Sequence, residues 1–235
     1  MSEETAAAEW KISRAPTPLV LTAALEPPSV TASDWRPLRR HAKADASAAK
    51  AFNPGWARLQ WTPAALAVDF VFLGERAHNA ATTLNQRTHE LGDVAELFLQ
   101  WPEVDRYIEL HVTPENQLLQ LAWTTEALAA VRAGKRTLEE RVVADPSWVQ
   151  SRASVAKTFW SARMIVPPKV VAPELKAFRA GLELRTSMCR YDYSLGRPPV
   201  LSSIVDYRGG RFHEREAWQR IVLVGRGVPA EPCNP

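Results

Sequence analysis

Glu96, His111 and Arg185 are the residues whose types and spacing bear most directly on chemistry, because each sits on the polar parity of a run that otherwise alternates apolar residues. In 94–101 the odd positions Ala95, Leu97, Leu99 and Trp101 are apolar, which turns Glu96, Phe98 and Gln100 away from a core if the run is a strand. In 105–113, Ile108, Leu110 and Val112 share one parity, leaving Tyr107, Glu109, His111 and Thr113 on the other. In 181–191, Leu182, Leu184 and Met188 are the apolar set, with Glu183, Arg185, Ser187 and Cys189 opposite. Neighbouring strands with these parities place Glu96, His111 and Arg185 on one polar sheet face. Arg190 falls on the apolar parity and reaches that face only through a bulge. The plain reading of Glu96 and Arg185 is a cross-strand ion pair on a solvated face, and of His111 an ordinary strand histidine. The functional reading makes them contacts to a ligand.

Catalytic arrangements find little support. Glu96 and Glu109 are two carboxyls within reach of each other, as glycoside hydrolysis requires, but 26 acidic residues make one such pair unremarkable. Gly-x-Ser-x-Gly is absent, and no HExxH or CxxC spacing relates His78, His89, His111 and His213, so neither a nucleophile elbow nor zinc is expected. Calcium is conceivable in the Asn- and Asp-bearing loops, although no alternating acidic loop is present. Composition excludes other classes: 29 basic residues against 26 acidic give a net charge of +3, scattered rather than clustered, which disfavours nucleic acid. No apolar run approaches the length of a membrane span, and the acidic start at Met1 lacks a signal-peptide pattern, so a cytoplasmic protein is expected, or an extracellular or periplasmic one if the start is misassigned. Cys189 and Cys233 read as two separate thiols.

The elements that must hold these residues read as short strands separated by Gly, Pro and Asp. Residues 1–17 form an unstructured lead, 18–24 a first strand, and 31–54 a connection around Trp35. Residues 56–61 and 65–73 make a hairpin, 74–91 a long polar loop, and 94–101, 105–113 and 117–123 a meander. A short helix is expected over 125–133, with Thr125 as cap and Gly134 as stop, and one helical turn near 173–178. Strands resume at 149–157, 159–166, 181–191 and 218–224. The fold class is therefore all-β: a jelly-roll-like antiparallel β-sandwich of about ten strands with one or two short helices, a single domain over 18–224 and a tail over 225–235. Of the nine tryptophans, Trp61, Trp101 and Trp160 lie on apolar patterns and read as core, whereas Trp56 and Trp123 should be partly exposed.

In order along the chain stand Trp35, Arg58 to Trp61, Leu66 to Phe72, Gly92 to Phe98, Tyr107 to Pro114, Trp160 to Pro167, Gly181 to Arg190, Phe212-His213 and Trp218 to Val224. This layout resembles family 9-like carbohydrate-binding modules of the DOMON-like superfamily over about residues 30–224. The resemblance implies a non-catalytic β-sandwich whose concave sheet binds the end of a sugar chain, two aromatic rings clamping a pyranose while polar groups read its hydroxyls. Together with the strand parities above, it makes Glu96, Phe98, His111, Trp123, Arg185 and Arg190 the expected carbohydrate contacts, with a saccharide ligand and no cofactor. The clamp positions fall on His89-Glu90-Leu91 and on 202–205, neither of which holds a tryptophan, so binding needs other surfaces. Some DOMON-like relatives carry haem instead, for which Met164 and Met188 are the internal candidates for an axial ligand. A third possibility is an interaction domain that has kept the scaffold and lost its sugar.

Overall fold

A computed structural model describes residues 9–16, 18–21, 25–27, 34–41, 52–194, 196, 198–207 and 211–225. Two sheets face each other. The smaller runs in the order β2 (Trp35–Pro37), β4 (Gly55–Thr62), β5 (Ala65–Leu73), β10 (Phe159–Val166), β9 (Gln150–Val155). The larger runs β1 (Trp10–Ser13), β13 (Gln219–Val224), β11 (Glu183–Asp192), β6 (Val94–Gln100), β7 (Arg106–Val112), β8 (Leu118–Thr124). In that sheet β12 (Val200–Ser203) pairs with β11 and β3 (Arg39–Arg40) with β12. Three short helices, α1 (Thr88–Leu91), α2 (Thr125–Arg132) and α3 (Pro168–Val171), complete the described elements together with 3-10 turns at Glu139–Arg141 and Arg215–Ala217. No helix among the described residues is long and apolar enough to cross a membrane.

Alternation decides which side chains enter the space between the sheets. Leu66, Val68, Phe70 and Phe72 of β5 meet Ala95, Leu97 and Leu99 of β6 and Ile108, Leu110 and Val112 of β7 in one core, with Leu182, Leu184 and Met188 beside them. The outward parity of β5 is also buried. Asp69, fully out of solvent, lies opposite Arg58 on one neighbour and Arg163 on the other. Both guanidinia donate to its carboxylate, Arg58 at 3.0 and 2.8 Å and Arg163 at 2.6 and 2.8 Å. Leu19 and Leu21 cover Ala65, Ala67 and Ile165 on the same outer surface.

Several expectations are corrected. Residues 10–13, assigned to an unstructured lead, form β1, parallel to β13 in an otherwise antiparallel sandwich, because Trp10 and Ile12 alternate into the core. Described residues 18–21 are not strand; they lie over the outer surface of the smaller sheet. The connection around Trp35 holds β2 and β3, and the long polar loop ends in α1. Among the described residues thirteen strands and three helices stand where about ten and one or two were expected, since two- to four-residue edge strands carry too little alternation to read. The helical turn sits at Pro168–Val171 rather than 173–178. Thr124, one residue before the expected cap, accepts the Ala127 N–H at 3.1 Å. Trp123 is buried, at 2% exposure. Cys189 is a buried free thiol; Cys233 lies outside the described residues.

Candidate functional site

The outward face of β6, β7 and β11 is not a solvated polar surface. Phe98, Tyr107, Leu121, Trp123, Cys189 and Tyr207 are buried there, roofed by the segment that carries Phe212 and Trp218 and flanked by Leu128 and Val131 of α2. Between sheet, helix and roof lies a cleft of about 470 Å³ whose lining includes Glu96, Phe98, Glu109, Trp123, His213 and His89. Its polar floor is a product of strand register. Glu96 of β6 is directly opposite His111 of β7, and Glu109 lies two residues from His111 on the same face.

Both carboxyls converge on one imidazole nitrogen. His111 Nε2 is 2.8 Å from Glu109 Oε1 and 3.2 Å from Glu96 Oε1, while Nδ1 is 2.8 Å from Thr88 Oγ1 at the start of α1. Trp123 donates its indole N–H to the other Glu109 oxygen at 2.7 Å. His213 Nε2 is 3.6 Å from that same oxygen, its Nδ1 held 2.9 Å from the Tyr107 hydroxyl. His89 stands edge-on to His111, ring centroids 5.7 Å apart.

Burial and mutual charge split the ionisation of these groups. Burial, reinforced by the Glu109 charge and opposed by His111, pushes Glu96 up to about 8. Burial also works against ionised Glu109, but His213, His111 and the Trp123 N–H together outweigh it and hold the group well below the usual carboxylate range. Burial opposes charging of His111, yet the two acids raise it. Burial and then the nearby His111 charge lower His89 to about 4. At neutral pH Glu96 therefore keeps its proton while Glu109 is ionised, and the two acids favour the charged form of the His111 ring between them.

Of the six candidate contacts, Glu96, Phe98 and Trp123 line the cleft, and His111 lies beneath it, wholly buried, fixing both acids. Arg185 does not join them. It is exposed and lies opposite Gln100, whereas Glu96 is opposite Cys189, four positions along the ladder, so the expected Glu96–Arg185 ion pair is not made. Arg190 keeps the inward parity, with no bulge to turn it. Its guanidinium, 1% exposed, lies 4.8 Å over the Phe72 ring, pairs with Asp192 at 3.2 Å and donates to the Asn53 and Leu73 carbonyls. Met164 and Met188 are packed in the inter-sheet core, away from the cleft. Sequence reading missed the roles of Glu109 and His213: Glu109 needed only the Glu-x-His spacing beside Glu96 to be found, whereas His213 reaches the cleft from the roof, which no periodicity signals.

The two-sheet sandwich has solved counterparts. A candidate carbohydrate-binding protein from Bacteroides uniformis superposes with a TM-score of 0.66 at 15% identity, over 92% of this chain and 100% of that one. A family 9 carbohydrate-binding module from Caldicellulosiruptor kristjanssonii in complex with cellotriose gives 0.61 at 14% identity, over 97% and 100%. The fold is that of a family 9 carbohydrate-binding module. The same module bound to glucose gives a TM-score of 0.60 at 14% identity, over 94% of this chain and 100% of that one. No protein-family model matches the chain, and no curated protein matches it. Within the family 9 module fold, this chain furnishes its cleft with rings from β6, β8 and the roof, while His89 and the described residues 202–205 offer no tryptophan.

Proposed function

We propose that the chain is a non-catalytic carbohydrate-binding domain that takes the end of a saccharide in the cleft over β6, β7 and β8. The observation that carries this reading is the company Trp123 keeps: an indole and the Phe98 and Phe212 rings share one cavity with two carboxyls and two histidines. Apolar C–H faces of a pyranose pack on such rings, while hydroxyls need donors and acceptors in fixed places. Protonated Glu96 would supply a donor and Glu109 an acceptor, so neighbouring hydroxyls can be read with opposite polarity. The volume lies within the range of small-ligand sites. Modules of the same fold hold cellotriose and glucose.

The same geometry supports a binding rather than a hydrolytic role. Both carboxyls converge on one imidazole nitrogen, His111 Nε2, at 2.8 and 3.2 Å, rather than flanking a scissile bond from two sides as the carboxyl pair of a glycosidase does. Calorimetric titration with glucose and with cello-, xylo- and manno-oligosaccharides tests the reading. Binding at millimolar ligand or better is expected, and it should be lost in His213→Ala, whose ring lines the cleft at 22% exposure, in protein that circular dichroism shows to be folded. No heat from any of these sugars on folded protein would refute it.

A further inference from the structure

We infer that Glu96, Glu109 and His111 form a binding site for a first-row divalent cation of the zinc class. The three side chains come from two adjacent strands, all are buried, and one donor atom from each lies within 4.8 Å of the others. Donors held 2.0–2.2 Å from a shared ion stand about 3.0–3.5 Å apart at tetrahedral or octahedral angles. His111 Nε2 is 2.8 Å from Glu109 Oε1 and 3.2 Å from Glu96 Oε1, so small side-chain adjustments open a seat for an ion between them.

The far ends of the donors are held in the manner of supported metal ligands. Thr88 Oγ1 engages His111 Nδ1, which commits Nε2 to the centre, and the Trp123 N–H takes Glu109 Oε2, which commits Oε1. On the cleft side, His89 leaves a buried Nδ1 without a hydrogen-bond partner, next to the His111 ring. A dication with two carboxylates is neutral overall, which satisfies burial as well as protons do. The remaining coordination positions face the cleft, open to water or to a hydroxyl of a bound ligand. One imidazole with two carboxylates suits zinc, cobalt, manganese or iron; calcium would require six to eight oxygens, which this buried corner lacks. The HExxH and CxxC spacings sought in the sequence are not needed, because the ligands are gathered across a strand pair rather than along a helix.

The site exists whether or not a saccharide binds above it, and it is tested with metal alone. Chelator-treated full-length protein is titrated with Zn²⁺, and in parallel with Co²⁺ to read its visible ligand-field bands. One equivalent per chain, a rise in melting temperature with Zn²⁺ and a Co²⁺ spectrum of low-symmetry N/O coordination are expected. Glu96→Gln and His111→Gln should each weaken binding at least about tenfold, the scale on which ligand support is felt. His78→Ala, which removes an exposed histidine, should change nothing. Where His111→Gln fails to fold, Glu96→Gln, which keeps the shape of the protonated acid, carries the comparison. Absence of stoichiometric Zn²⁺, undiminished binding in folded Glu96→Gln, loss of binding in His78→Ala, or a response to Ca²⁺ alone would each overturn the assignment.

Discussion

Glu96 and Glu109 face the same imidazole from nearly equivalent positions, yet burial and neighbours drive them in opposite directions, and this has a consequence for stability. A carboxyl raised to about 8 keeps in the folded protein a proton that the unfolded chain releases, so stability is lost as pH rises from about 4.5 through 8. His111, also raised, contributes stability that is present below its unfolded value of 6.5 and lost as pH climbs through its folded value. Glu109, lowered to about 2, contributes stability present above about 4.5 and lost as pH falls toward 2. Melting temperature should therefore peak in mildly acid solution and decline on both sides. Glu96→Gln should flatten the alkaline decline while leaving the acid one, as thermal melts from pH 3 to about 9 would reveal; an unchanged alkaline slope would show that Glu96 is ionised in the fold. The two arginines offer a second contrast at this scale. Arg190→Ala leaves Asp192 and Asp93 buried without their cation and should cost about 3–5 kcal/mol in urea unfolding. Arg185→Ala, at an exposed ladder position, should stay within about 0.5 kcal/mol of the parent and leave saccharide binding intact.

At the level of elements, the corner between α1 and β6 brings Thr88 and His89 onto the triad, and Gly92 makes that corner. Its φ of 152° lies where side chains are strained, and a Cβ there would collide with the His78 carbonyl oxygen and the Asn79 Cα. Asn79 in turn donates to the carbonyls of Thr88 and Asp93 at 2.8 and 3.0 Å, so a shift of this backbone moves the residue that holds His111. Gly92→Ala should destabilise by about 2–4 kcal/mol and weaken ligand binding in the fraction that remains folded. Calorimetry beside urea melts checks both effects; a fully stable, fully binding variant would remove the corner from the site's support. This element also shows where sequence reading stops. The parity of β6, β7 and β11 was legible because hydrophobic alternation is a local signal, and it correctly put Glu96, Phe98, Glu109 and His111 on one face. The roof was not, because Phe212, His213 and Trp218 descend on that face from irregular chain whose position depends on long-range packing. For the same reason the face read as solvated when it is a covered cleft, and Arg185 read as a neighbour of Glu96 when register alone sets them four positions apart.

At the scale of the whole molecule, the two sheets are joined along one margin by the first described residues. Trp10 and Ile12 of β1 are 4% and 1% exposed in the shared core, while β1 itself hydrogen-bonds in parallel to β13 of the larger sheet. Immediately beyond, Arg14 bridges to Trp61 of the smaller sheet and Ala15 donates its N–H to the Trp61 carbonyl at 2.9 Å. The Trp61 indole N–H returns across the gap to the Ile12 carbonyl at 3.0 Å and the Val224 carbonyl at 3.1 Å. The chain thus crosses from one layer to the other within a few residues, and its side chains close the core at the crossing. Truncating a buried Ile costs about 2–5 kcal/mol and a buried Trp about 3–5, so a Trp10→Ala/Ile12→Ala double variant should lose about 5–10 kcal/mol if the sites act independently. That is comparable with the roughly 5–15 kcal/mol that holds an entire domain together. The variant should be largely unfolded or aggregated at body temperature, with a urea midpoint reduced by half or more, whereas Val20→Ala, at 58% exposure on the outer surface, should melt with the parent. A double variant that retained the parental midpoint would mean that the sandwich closes without β1, and the margin would then be an appendage to a core already complete.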